Sequence, residues 1–228
     1  VTTAGDRRFG FALDDPPTGW RIGYSRAVKR VTAALLAGEP GGLIDETPTG
    51  VSADWLTNST VEFAAGPQDL NIRLTAKSVE ANESSVVLHP AILGLGVGCE
   101  RGTDSDELLD LVEEVLQAQN LSRHAIACVS TIDLKADEPA VIALAETLGV
   151  PLRLFEADVL ELETPRVANP SDYVFEAVGC HSVSEAAALA AGGSNAKLIA
   201  QKTKGARTTC AIAQAPELID GAAVGKSR

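Results

Sequence analysis

The sequence predicts an α/β fold, with a C-terminal layered domain whose mixed sheet is flanked by helices, preceded by a smaller, irregular α+β region. Three observations predict it. Beyond residue 85, short apolar runs alternate with stretches of helical period, the pattern of strands and crossover helices. Near the end, two strand-like segments flank Lys202–Gly205 and read as a hairpin that adds an antiparallel edge. Before residue 85 the strong elements are few and turn residues are frequent. The expected division is therefore 1–85, then 86–214, then a flexible tail over 215–228.

In order along the chain, Asp14-Asp15-Pro16-Pro17-Thr18-Gly19 is a turn cluster. Ser25 is placed to cap a helix over Arg26–Ala37, with Val28, Val31, Leu35 and Leu36 on one stripe and Gly38 as its stop. Gly38-Glu-Pro-Gly-Gly42 reads as a breaker, and Asn71–Ala76 alternates like a half-buried strand. Val86–Gly98 reads as one buried strand ending in glycines. Thr103 or Asp104 caps a helix over 105–119, with Leu108, Leu109, Val112, Val115 and Leu116 inward. Ala125–Thr131 is a short strand, and Pro139 opens a helix that Gly149 ends. Val150–Phe155 is a third strand; Ser171 and Ser182 each begin short helices, the second through the capping box Ser182-Val-Ser-Glu185. Lys197–Gln201 and Thr208–Ala213 make the final hairpin, and the chain after Pro216 is expected to fray.

The 228 residues carry 19 basic against 31 acidic side chains, a net charge of −12, and 45% are hydrophobic. That balance argues against general affinity for nucleic acid or for an anionic membrane, since phosphate binding needs Lys and Arg. No run approaches the ~20 apolar residues of a membrane span, and no signal peptide is visible, so a cytoplasmic location is expected. The four cysteines, at 99, 128, 180 and 210, form no CxxC pair, which disfavours a disulfide framework or a zinc ribbon and fits a reducing compartment. The sequence holds no methionine and opens at Val1, so either residues are missing from its front or methionines have been dropped from it.

Three segments could carry chemistry. In Gly94-Leu-Gly96-Val-Gly98-Cys99-Glu100-Arg101-Gly102-Thr103, glycines between a strand and a helix approach a dinucleotide-binding turn. The third glycine is one residue late and the expected acid about 20 residues on is poorly placed. The plain alternative is a tight turn; between the two lies an anion site at the helix start beside Arg101 and Thr103. Next, Ser130-Thr131-Ile-Asp133-Leu-Lys135-Ala-Asp137-Glu138-Pro139 crowds hydroxyl, carboxylate and ammonium groups at a strand end, where α/β sheets bind ligands. Helix capping accounts for Asp137 and Glu138 but not for Lys135, which is unfavourable near a helix N-terminus. Last, Lys197, Lys202, Lys204 and Arg207 occupy a stretch without acids, suited to an anion or to guarding a sheet edge. Cys99 faces the mouth of the glycine segment. The Cys180–His181 pair, His89 and His124 give no metal signature, and no protein-bound metal is expected.

Taken together, these blocks resemble the cobalt-precorrin-5A hydrolases, the CbiG family of anaerobic cobalamin biosynthesis. The likeness runs through Leu93-Gly-Leu-Gly-Val-Gly-Cys-Glu-Arg-Gly-Thr103, Thr131-Ile-Asp-Leu-Lys-Ala-Asp-Glu-Pro139, Asn169-Pro-Ser, Ser182-Val-Ser-Glu-Ala-Ala-Ala-Leu189, Lys202 and Thr208-Thr-Cys-Ala-Ile-Ala213. It covers residues 86–214, a module that also stands alone as the CobE-like proteins. Val1–Asp6 is similar to the end of the hydrolase's N-terminal domain, and the region around Ala27–Leu36 to its middle part. Most of that N-terminal domain is absent from this sequence, and Glu100 stands where the family more often has Arg.

The resemblance implies a ring-contracted cobalt corrinoid as substrate, with the cobalt carried by the substrate and no cofactor held by the protein. It implies hydrolysis of a δ-lactone and release of the meso fragment as acetaldehyde. A general base is then needed, Asp133 or Glu138, and an oxyanion donor, Lys135 or a glycine-turn N–H. Substrate contacts would come from Gly96, Gly98, Cys99, Arg101, Thr103, Thr131, Lys197, Lys202 and Lys204. The expected partner is this carboxylate-rich corrinoid, with a homodimer or contacts with other enzymes of the pathway left open. A non-catalytic corrinoid carrier is the alternative, and an oxidoreductase built on the glycine turn a third class.

Overall fold

The computed structural model describes residues 8–80 and 82–220. They build two five-stranded mixed sheets that share one apolar core. The first contains β1 (Trp20–Tyr24), β2 (Gly41–Asp45), β3 (Phe63–Ala65), β4 (Asn71–Leu74) and β5 (Ser85–Pro90), in the order β1-β5-β4-β2-β3. All neighbours are parallel except β1 and β5. Helix α1 (Arg26–Ala37) packs Ala27, Val28, Val31 and Leu35 inward and ends at Gly38 with φ 84°, as its pattern predicts, although the Ser25 side chain makes no capping bond. A short α2 spans Asp54–Thr57.

β1, β2 and β3 are not legible in the sequence. Gly41 and Gly42 read as a breaker, yet they open β2, because a Cβ on Gly42 would meet Asn71 Oδ1 at 2.4 Å and the Gly66 carbonyl at 2.7 Å. The glycines serve close approach between neighbouring segments rather than a turn.

The second sheet has the order β8-β7-β6-β10-β9, from β6 (Leu93–Cys99), β7 (Ile126–Ile132), β8 (Leu152–Phe155), β9 (Lys197–Lys204) and β10 (Thr208–Gln214). β6, β7 and β8 are parallel; β10 runs antiparallel between β6 and β9. Helices α3 (Ser105–Ala118) and α4 (Pro139–Leu148) cover one face, and α7 (Ser184–Gly192) the other, with short α5 (Ala157–Glu161) and α6 (Asp172–Val178) beyond the carboxyl end of β8. Asp104 caps α3 by accepting from Asp106 N–H, and Gly149 closes α4 at φ 63°. Among the described residues no helix is long and apolar enough to cross a membrane.

Three expectations are corrected. Val86–Gly98 is two strands, not one: β5 ends at Pro90, Ala91 N–H turns to the Gly19 carbonyl and Ile92 N–H to that of Ala125, and β6 begins in the other sheet. Both strands are buried on both faces, so their apolar runs fuse in sequence and hide the break. The sheets therefore part at Ala91–Ile92, later than the expected boundary at 86. The start of the expected tail is packed, since Ala215 and Ile219 are buried with Ala91 and Ala127, and Ile219 N–H donates to the Ala91 carbonyl at 2.9 Å. Residues 221–228, like Val1–Asp6, lie outside the described residues. Finally, no capping box forms at Ser182: α7 starts at Ser184 without a side-chain cap, and Glu185 turns elsewhere.

Candidate functional site at the carboxyl end of the second sheet

In β6 the sequence Leu93-Gly-Leu-Gly-Val-Gly-Cys99 alternates strictly. Leu93, Leu95 and Val97 join the core beneath α3 and α4, while Gly94, Gly96 and Gly98 form the opposite face. Onto that bare face lies α7, itself rich in alanine. A Cβ on Gly96 would stand 1.9 Å from the Ser184 carbonyl oxygen, and one on Gly94 2.8 Å from that of Ala188. Gly98 opposes Thr209 Oγ1 and Val183 in the same way. Gly94, Gly96 and Gly98 are therefore a helix-packing surface inside a strand, not a phosphate cradle. Gly102, at φ 66°, does lie in the turn, but its N–H donates to Glu138 Oε1 at 3.0 Å. The dinucleotide alternative falls with these contacts.

The loop after β6 and the loop after β7 are bolted together. Arg101 bonds Asp137 and donates to the Leu134 carbonyl at 2.6 Å. From the β9–β10 turn, Arg207 donates to Glu100 Oε2 at 2.9 Å and to the Arg101 carbonyl at 2.9 Å. Those carboxylates hold both guanidinium groups more firmly protonated than usual. Glu138 is only 1% exposed; besides the Gly102 N–H it has Arg101 at 3.8 Å and Lys135 Nζ at 4.0 Å. It is the residue just before α4, but its side chain caps nothing of its own helix, and neither does that of Asp137. Glu138 braces the two loops from a buried position, so the solvent-accessible carboxylate of the turn after β7 is Asp133. Thr103 and Thr131 are likewise buried, Thr103 bonding the Glu100 carbonyl at 2.9 Å.

What remains around this mouth is Asp133, Lys135, Cys99 and Arg101. Asp133 and Lys135 lie in one 3-10 turn after β7, Asp133 exposed and Lys135 partly covered. Burial pushes the Cys99 thiol above its usual range, against the pull of Lys135, Arg101 and Arg207. Cys99 is thus a neutral thiol next to cations rather than a thiolate nucleophile.

The hairpin does not act as one basic patch. Lys204 pairs with Thr209, which pairs with Gly98, at the carboxyl end of β6. Lys197 pairs with Gln214, opposite Leu93, some seven residues and therefore roughly 20 Å away at the other end of the sheet. Lys197 is thereby separated from the site. Lys202 Nζ donates to the Asn169 carbonyl at 2.8 Å, and burial lowers its proton affinity while Glu185 restores part of it.

Beside Lys202 lies a cluster that sequence reasoning missed. Glu185, fully buried at the start of α7, accepts from the backbone N–H of Lys202, Ala168 and Asn169 and from Asn169 Nδ2, all at 2.8–2.9 Å. Burial opposes its charge, but these donors outweigh burial and hold the carboxyl below its usual range. An acid alone in Ser-Glu-Ala-Ala-Ala-Leu was the available signal: on a helix of small residues it must find buried partners. Next to this cluster, His181 bonds Glu161 through Nδ1 at 2.9 Å and stacks on Phe175. Nothing in the spacing of residues 161, 175 and 181 joins them.

At the seam between the sheets is a cavity of about 370 Å³ lined by Tyr24, His89, Glu113, Ser122, Arg123 and His124. It is remote from the strand ends described above. His89 Nδ1 donates to the Thr75 carbonyl at 2.6 Å, its Nε2 accepts from Ser122 Oγ at 3.2 Å, and its ring stacks on His124 at 5.8 Å. Burial pushes the imidazole down to about 4.

Two family models follow the same division as the sheets. That for the "Cobalamin biosynthesis central region" matches residues 16–90, and that for the "Cobalamin synthesis G C-terminus" matches residues 93–213. This chain belongs to the CbiG family. Its place is in cobalamin biosynthesis. A cobalt-precorrin-5A hydrolase of Priestia megaterium is 31% identical over 232 aligned positions, covering 95% of this chain and 61% of that protein. The chain thus spans less than two thirds of that hydrolase. Protein CobE of a Sinorhizobium species is 42% identical over 121 residues, 53% of this chain and 79% of its own length. Among solved structures, that of CobE, a protein from the cobalamin (vitamin B12) biosynthetic pathway, superposes with a TM-score of 0.52 at 36% identity, over 55% of this chain and 91% of CobE. The CbiG likeness therefore extends through both sheets, and the CobE likeness covers about half of the chain.

Proposed function

We propose that this chain acts in the hydrolysis of cobalt-precorrin-5A, opening the δ-lactone of a cobalt corrinoid with water and releasing the two-carbon meso fragment as acetaldehyde. The observation that carries this reading is the likeness to the Priestia megaterium hydrolase across 95% of the chain, including the first sheet. Lactone opening needs a base for the water and a donor for the oxyanion. With Glu138 engaged in bracing, Asp133 is the carboxylate available as base, and Lys135 is the donor, in the same 3-10 turn. A corrinoid fringed with carboxylates suits cations at the rim, and Lys202 and Lys204 end at this side of the sheet.

The test is to incubate the full chain with cobalt-precorrin-5A and assay acetaldehyde. Release that falls at least several-fold in Lys135→Gln and Asp133→Asn is the expected result. Saturable corrinoid binding with no acetaldehyde would overturn the hydrolase reading. It would favour the second one, a corrinoid carrier, which the 42% identity to CobE over the C-terminal sheet supports.

A further inference from the structure

His181 is an oriented imidazole whose Nε2 faces the Asp172 carboxylate at 3.5 Å. Its Nδ1 lies 2.9 and 3.0 Å from the two carboxylate oxygens of Glu161, so Nδ1 carries a proton, and in the neutral imidazole the lone pair is on Nε2. Glu161 is itself fixed, accepting the His181 backbone N–H at 3.0 Å and Thr164 Oγ1 at 2.9 Å. The imidazole hydrogen bond heads the causes that hold Glu161 below the usual carboxylate range. On one side the ring stacks on Phe175, with centroids 4.6 Å apart and 26° between planes. The ring is a quarter exposed, and the group facing Nε2 is Asp172, 3.5 Å away on a fully exposed side chain free to swing aside.

The short helices that supply the partners of this imidazole carry exposed apolar side chains. Among the described residues, seven large apolar side chains are exposed, and four of them are Val159, Leu162, Tyr173 and Phe175. Val159 and Leu162 flank Glu161, and Tyr173 and Phe175 follow Asp172, on the short helices α5 and α6 and just after. An exposed patch of this sort marks a binding surface. An imidazole whose far nitrogen donates to a carboxylate is the arrangement that fixes tautomer and orientation in metal-ligating histidines.

We propose that His181 Nε2 is an axial ligand to the cobalt of the corrinoid, with Val159, Leu162, Tyr173 and Phe175 against the macrocycle's apolar face. This rests on the reading that a cobalt corrinoid is the substrate. The coordinate bond forms from the Nε2 lone pair to cobalt and displaces an axial water; no electron is transferred, and the proton stays on Nδ1, shared with Glu161. Neither other histidine fits: both ring nitrogens of His89 are engaged in the core, and His124 stacks on it beside Arg123. The apolar flank distinguishes this arrangement from a surface ion pair joining α5 to α6, which would have no use for it.

The experiment titrates the full chain with cobyrinic acid, a carboxylated cobalt corrinoid, reduced to Co(II), and records binding together with the electron paramagnetic resonance spectrum. The expected result is saturable binding in which each cobalt line splits into three through one axial ¹⁴N, and into two when the histidines are ¹⁵N-labelled. His181→Ala should abolish the splitting and raise Kd about tenfold, as losing an axial ligand predicts, while Glu161→Gln keeps the splitting with weaker binding. A circular dichroism spectrum and a urea midpoint matching the parent should show that His181→Ala is folded. Binding without nitrogen splitting, or splitting that survives His181→Ala, overturns the ligand assignment and leaves the corrinoid reading standing. No saturable binding by the parent chain overturns the corrinoid reading, and this inference with it.

Discussion

The backbone N–H of Gly102 donates to the buried carboxylate of Glu138 across 3.0 Å, joining the loop after β6 to the loop after β7. Glu138 thereby does for the neighbouring loop what a capping residue does for its own helix, and it brings Arg101 and Lys135 within 4.0 Å of the same charge.

Removing that carboxylate should be costly. Glu138→Ala leaves the Gly102 N–H without its acceptor and two cations without their common acid, a loss of about 2–4 kcal/mol. Lys135→Gln, which removes one of the cations, should cost roughly 0.5–1.5 kcal/mol. Urea denaturation measures both. Equal midpoints for Lys135→Gln and the parent would mean that the Lys135–Glu138 pair contributes nothing to folding.

Two glycines should respond unequally to the same methyl group. Gly96→Ala thrusts a Cβ against the Ser184 carbonyl and has to lift α7 from the sheet, at about 2–3 kcal/mol. Gly102→Ala meets no atom within 4 Å and carries only the strain of φ 66°, about 1 kcal/mol. Thermal melting of the two variants compares them, and a smaller effect at Gly96 would contradict the packing described.

The seam should be acid-sensitive. His89 is buried with its affinity for a proton lowered to about 4, against an ordinary value of 6.5. The unfolded chain therefore takes up this proton first. Stability is full above about 6.5 and drains as pH falls from there to about 4, by ~3 kcal/mol in total. His124, lowered chiefly by burial and also by the charges of Arg123 and Arg21, acts in the same direction. Chemical denaturation between pH 7 and 4 gives the slope, and imidazole titration by NMR identifies the residue; a His89 resonance titrating near 6.5 in the folded protein would refute the assignment.

Glu185 should be a second sensitive acid of the C-terminal unit. Glu185→Gln replaces an acceptor of four hydrogen bonds with a group that turns an NH₂ toward some of those donors, costing roughly 2–4 kcal/mol. Its folded-state affinity for a proton is lowered, so its contribution is present above the usual glutamate range and lost as pH falls through the folded value. Denaturation of the parent and the variant at pH 7 and pH 4 should show the gap narrowing on acidification; a gap independent of pH would count against the charged form.

The second sheet was legible because each of its parallel strands and covering helices carries its own signal: Asp104, Pro139 and Gly149 mark boundaries that the structure keeps. The first sheet was less so, because β2 starts with two glycines and β3 is three residues long, and both owe their strand character to neighbours distant in sequence. At the site, the structure brings Cys99, Arg101, Lys135 and Glu138 together, since they flank adjacent strand ends. The sequence could not tell which charges were already spent on each other. Arg101 and Arg207 look like free cations in a sequence and are clasps in the structure, and the His181–Glu161 pair depends on the path of two short helices that no periodicity encodes.

The two-residue step at Ala91–Ile92 has a mechanical meaning. A pair of residues is too short to swing, and the seam is crossed besides by bonds from Ser78 N–H to Asn120, Ser122 N–H to Ala76 and the Arg21 guanidinium to Ile126. Rotation of one sheet against the other would have to break all of these at once. The chain is thus a rigid elbow rather than a hinged pair, and a ligand that reaches across it meets an angle set at folding, not one that closes on arrival.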